Sequence, residues 1–71
     1  MPNSRKIKAR ILELGLSIKV IAKQMDLTAY TLGRKIAGKT PMSLKEAHIL
    51  QVILQIPDNE LVLYFFTKEV A

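Results

Sequence analysis

The chain has no cysteine and no tryptophan, and among 71 residues only three glycines, three prolines and one histidine. Without cysteine, neither a disulfide nor a thiolate-bound zinc braces the fold, which suits a reducing cytoplasm. A lone histidine inside an apolar segment, His48, is ordinarily structural or solvated. No glycine-rich phosphate loop, nucleophile elbow or cluster of metal ligands is present. Gly38-Lys39-Thr40 echoes the end of a phosphate loop, yet it lacks the upstream glycine and the preceding strand. The chain is therefore not expected to be an enzyme, to hold a cofactor or a metal, or to take a small-molecule substrate. Long apolar runs are missing too. The longest, residues 47–56, is interrupted by His48, Gln51 and Gln55 and is shorter than the about 20 residues that span a bilayer. MPNSRK is followed by no apolar stretch, so it does not read as a secretory signal. The expectation is a cytoplasmic protein with no membrane association.

Acid is scarce at one end. Residues 1–40 carry nine Lys or Arg against Glu13 and Asp26, a net of +7, whereas residues 41–71 carry Lys45 and Lys68 against four acids, a net of −2. Lysines keep any small domain in solution, but this clustering points to a polyanionic partner. Seventy-one residues make one domain, residues 1–71. A chain of this size buries only about 60% of its unfolded surface, so a partner surface would help to stabilise it. No repeat, low-complexity segment or linker divides it.

The periodicity is helical throughout. Ser4 can cap a first helix ending near Leu14, with Gly15 just past its end and Ile7, Ile11 and Leu14 as its stripe. Ser17 caps a second, about 18–25, whose apolar positions are Ile18, Ile21, Ala22 and Met25. Asp26 turns the chain, since Asp tolerates the left-handed conformation of a sharp turn. Thr28 caps a third helix, about 29–37, stopped by Gly38 and striped by Leu32 and Ile36. On its opposite side lie Tyr30, Gly33, Arg34 and Ala37. Small residues there let a helix sink into a groove, an Arg can hold guanine O6 and N7 with two hydrogen bonds, and a Tyr can meet a thymine methyl or a phosphate. Ser43 and Glu46 form a capping box for a fourth helix. That helix is apolar on two sides, one side with Leu44, Ala47, Leu50 and Leu54 and the other with Ile49, Val52, Ile53 and Ile56, so burial on both is expected. Pro57 ends it and Asp58 caps a fifth, about 59–66. No assignment is made for residues 67–71.

The order of Ser cap, Ala22 where two helices cross, a turn, a Thr cap and then Leu32 resembles the helix-turn-helix of the Cro and lambda-type repressor family. The resemblance extends from about residue 7 to about residue 66. Its ending, from GKTPMSLKEA through IPDNELVLYFFTKEVA, is similar to small Cro-like phage regulators. It implies an all-α, five-helix lambda-repressor-like domain with the helix-turn-helix at about 18–37, binding operator DNA, usually as a dimer, with the third helix in the major groove. By this resemblance Thr28, Ala29, Tyr30 and Arg34 approach DNA. Gly33 lies on the same face, Lys35 and Lys39 flank it near phosphates, and Lys19 contributes from the second helix. The chain departs from the family at three positions. Ile18 stands where Gln is frequent, Asp26 where the turn is commonly Gly, and Ala29 where a long polar base reader is frequent. DNA binding is then either weak or rests on Arg34, Tyr30 and lysines at the backbone. Where many members hold a buried Arg–Glu pair, this chain has Ile11 and Ile36, which are expected to touch. Ile49, Val52, Leu63 and Phe66 are expected to leave an apolar patch for a homodimer or a partner repressor. Two functions follow, a transcriptional regulator that occupies an operator, or a modulator that grips a partner repressor.

Overall fold

The structure is a computed structural model that describes residues 2–66. It is all-α, with five α-helices and no strand among the described residues: α1 Ser4–Glu13, α2 Ile18–Gln24, α3 Ala29–Ile36, α4 Leu44–Ile53 and α5 Leu61–Phe65, the last preceded by a 3₁₀ turn, Asp58–Glu60. Residues 67–71 lie outside the described residues.

Four helices begin with a side chain that satisfies an otherwise orphaned backbone donor. Ser17 Oγ accepts from the Val20 amide, Thr28 Oγ1 from the Thr31 amide, and Ser43 Oγ from the Glu46 amide. The Glu46 carboxylate accepts in return from the Ser43 amide at 2.9 Å, completing the expected capping box. At α1 the cap is Asn3 and not Ser4: Asn3 Oδ1 accepts from the Lys6 amide at 3.2 Å, and Ser4 is already helical. The physical reason lies far along the chain. The Asn3 amide donates to the Tyr64 carbonyl at 2.7 Å, which holds Asn3 extended, as an N-cap must be.

The four helix ends share one geometry. After each, a residue with positive φ turns the chain: Gly15, Asp26, Gly38 and Gln55. In each case the next amide reaches back to the carbonyl five residues earlier, Leu16 to Ile11, Leu27 to Ala22, Lys39 to Arg34 and Ile56 to Gln51, at 2.8–3.0 Å. Two of the four positions use glycine, and Asp26 and Gln55 adopt the left-handed conformation with a side chain in place.

Ile7, Ile21, Ala22, Leu32, Ile36, Leu50 and Leu54 have no exposed surface, and Ile11, Ala47, Ile56, Tyr64 and Phe65 complete one core. Ala22 is fully buried, and α2 packs on α3. Ile11 and Ile36 both belong to this core, where the lack of an ionised pair costs no desolvation. Gln51 is buried as well; its Nε2 donates to the Ile56 carbonyl at 3.1 Å and to Asp58 Oδ1 at 2.7 Å. This contact accounts for a second departure from expectation. Asp58 makes no cap hydrogen bond, because its carboxylate is turned back to Gln51. The chain after Pro57 therefore enters a 3₁₀ turn first, and α5 is a short helix.

The expectation of burial on both sides of α4 is corrected. Ala47, Leu50 and Leu54 are buried, but Leu44 is 77% exposed and Val52 63% exposed. The five-residue α5 packs on α1. Val52, Leu63 and Phe66 of the expected patch are exposed; Ile49 is half-buried. No helix among the described residues is long and apolar enough to cross a membrane.

Candidate nucleic-acid interface

The candidate face is built on α3. Leu32 and Ile36 are buried, and with 100° per residue this turns Tyr30, Gly33, Arg34 and Ala37 outward. Tyr30 is 74% exposed. Two open hollows meet on this surface. One is lined by Lys19, Lys23, Asp26, Leu27, Thr28 and Ala29, the other by Ala29, Tyr30, Gly33, Arg34, Ala37 and Lys39. Both are lined by Ala29 at the start of α3, the first also by Lys19 and Lys23 and the second by Arg34 and Lys39. Of the expected site residues, Lys19, Thr28 and Ala29 line the first hollow, and Ala29, Tyr30, Gly33, Arg34 and Lys39 the second.

Lys35 does not join them. Its Nζ lies 2.8 and 2.9 Å from the two carboxylate oxygens of Glu46 and 3.4 Å from the Pro41 carbonyl, and the pair is largely shielded from solvent. The Lys35 ammonium, followed by the Ser43 amide, holds the Glu46 carboxyl below the usual carboxylate range. The charge of Lys35 is therefore spent within the fold, fastening the end of α3 to the first turn of α4.

Gly33 has no internal reason to be glycine. Its φ is not in the left-handed region, and a Cβ placed on it would meet nothing within 4 Å. A glycine inside a helix costs roughly 1 kcal/mol relative to alanine. A small residue kept at that cost on an exposed helix face leaves room for something outside the chain to come close.

Arg34 is held on two sides. Its guanidinium carbon sits 5.9 Å from the centroid of the Tyr30 ring, within the range of a cation–π contact. Its Nε donates to Thr40 Oγ1 at 3.2 Å. Thr40 lies six positions beyond Arg34, in the loop after α3, so no helical periodicity pairs the two. Arg10 likewise carries a role that its place in a basic helix does not reveal. It reaches the end of α4, with Nε on the Leu54 carbonyl and Nη2 on the Gln55 carbonyl, and it is thereby withdrawn from the free cations.

Among the described residues, no group of three or more His, Cys, Asp or Glu side chains is placed to hold a metal ion. A separate cleft of about 260 Å³ lies between the loop after α3 and the end of α5, lined among others by Pro2, Met42, Leu44, Phe65 and Phe66. Comparison with protein-family models, with curated proteins and with solved structures gives no match for this chain.

Proposed function

We propose that the protein is a sequence-specific DNA-binding transcriptional regulator of the Cro-like kind, of phage or prophage type, that acts in the cytoplasm by occupying an operator. The observation that carries this reading is the outward face of α3. An exposed tyrosine, an unexplained glycine and an arginine share one surface, with Lys39 on one flank and Lys19 and Lys23 on the other. Such a face suits the major groove of duplex DNA. Arg34 and Tyr30 would meet base edges, Gly33 would allow close approach, and the lysines would meet phosphates. Ala29 contributes apolar contact only. The exposed Val52, Leu63 and Phe66 support a homodimer. In that assembly the two copies of α3 would sit about 34 Å apart, one turn of DNA.

The test is quantitative binding to duplexes selected from a random pool, across a range of salt. Phosphate contacts give an affinity that falls steeply with salt. Arg34→Ala should cost roughly 1–3 kcal/mol at the selected site and blur preference at one base pair. Lys39→Ala should weaken binding to all duplexes alike and reduce the salt slope by about one unit. Absence of binding even at low salt rejects the reading. That outcome favours a second one, a modulator that grips a partner repressor through its apolar surface, supported by the exposure of Leu44, Val62 and Phe66 as well as Val52.

A further inference from the structure

We infer that Thr40 is a positioning residue that sets the orientation of Arg34 before DNA arrives, and that Arg34 reads guanine with its two terminal nitrogens. This inference rests on the DNA-binding reading of the α3 face and adds the group that gives it specificity. Two hydrogen bonds tie the same pair of residues. Arg34 Nε donates to Thr40 Oγ1 at 3.2 Å, and the Thr40 amide approaches the Arg34 carbonyl at 3.4 Å. Pro41 follows Thr40 and restricts it to an extended backbone, and the Lys35–Glu46 pair fastens the two ends of the same loop. Thr40 is thus a fixed acceptor and not a passing one.

The consequence is geometric. A guanidinium has five N–H donors in a planar fork and can present either the side formed by Nε and one terminal nitrogen or the end formed by both. With Nε engaged by Thr40, the end is what remains for a partner. The Tyr30 ring beside the guanidinium restricts the plane further. A long side chain otherwise loses rotamer freedom on binding; here part of that loss is incurred on folding. A planar, pre-aimed pair of donors matches guanine O6 and N7 and no other pattern in the major groove as well.

The experiment compares Thr40→Val, which keeps the shape, Thr40→Ala, and Thr40→Ser, which keeps the hydroxyl. Each is bound to the duplex selected by the wild type, to the same duplex with each guanine pair changed to adenine in turn, and to a scrambled duplex. Thr40→Val and Thr40→Ala should lose roughly two- to tenfold in discrimination at one guanine, the size of one hydrogen bond, with unchanged affinity for the scrambled duplex. Thr40→Ser should retain the discrimination, and Thr40→Val should have no further effect in an Arg34→Ala background. In the free protein, the Arg34 Nε–H should be protected from exchange in the wild type and Thr40→Ser and lose that protection in Thr40→Val. If Thr40→Val discriminates like the wild type while Arg34→Ala does not, the inference fails and the DNA reading stands. If the wild type binds no duplex, both fail.

Discussion

The Nε–H of Arg10 donates to the carbonyl oxygen of Leu54 at 2.9 Å, linking α1 to the C-cap of α4 across 44 positions of sequence. Its Nη2 adds the Gln55 carbonyl at 3.3 Å. Carbonyls at a helix end have no partner within the helix and carry the negative end of its dipole, so a cation is well placed there. Hydrogen bonds to charged groups contribute about 1.5–3 kcal/mol. Arg10→Met, which keeps the apolar stem, should destabilise at the lower end of that range, since a quarter of the side chain is exposed. About 4–8 °C of melting temperature per kcal/mol is expected for a domain of this size. Glu13→Ala removes only an exposed ion pair to the same arginine and should cost under about 1 kcal/mol. Thermal unfolding of the two variants checks the ranking.

Acid should loosen the junction of α3 with α4. The Glu46 carboxyl is held below its ordinary value by Lys35 and the Ser43 amide. A carboxyl depressed in the folded state contributes stability above its unfolded value and loses it as the pH falls from there through the lowered folded value. Melting temperature should therefore drop over that acid range. Glu46→Gln, which preserves an acceptor for the Ser43 amide, should flatten that part of the profile, and Lys35→Met should shallow it. Melting curves at a series of pH values measure both.

Gln55 stands at a left-handed position, φ 55°, without the freedom of glycine. A side chain there is strained by roughly 1 kcal/mol, part of which glycine returns through its larger unfolded-state entropy. Gln55→Gly should stabilise the fold by about 0.5 kcal/mol. The Gln55 backbone, which carries the contact to Arg10, is unchanged. A fall in denaturant midpoint would contradict this.

Gly33→Ala separates folding from recognition. An added methyl meets nothing within 4 Å, so the helix should gain about 0.5–1 kcal/mol. If α3 enters a groove at this point, the same methyl lies at the closest approach. Melting temperature should rise while affinity for the selected duplex falls. Unchanged affinity would move the contact away from Gly33.

The sequence announced most strongly what is local. Ser17, Thr28 and Ser43 cap where their spacing from the apolar stripe says they should, and Gly15 and Gly38 end helices for the same reason. Leu32 and Ile36 settle the outward direction of Tyr30 and Arg34. What stayed hidden depends on residues far apart. Asn3 displaces Ser4 as the cap because Tyr64 holds it, and Asp58 is drawn from its cap by Gln51. Leu12, next to Ile11 in sequence, is 79% exposed because nothing packs over that side of the helix. Lys35 and Lys39 are indistinguishable as basic residues near the end of α3, and only the position of Glu46 neutralises one and leaves the other exposed.

The link from the Asn3 amide to the Tyr64 carbonyl also bears on how the protein comes into being. The ribosome delivers every residue of α3 before it delivers Leu50, Leu54 and Phe65, which share the core with Leu32 and Ile36. The first turn of α1 is pinned only once residue 64 has emerged. A nascent chain therefore carries the cations of α3 before the core that fixes their spacing can close. Small single domains ordinarily fold as one cooperative unit, so the core under α3 closes only after nearly all of the described chain has been made.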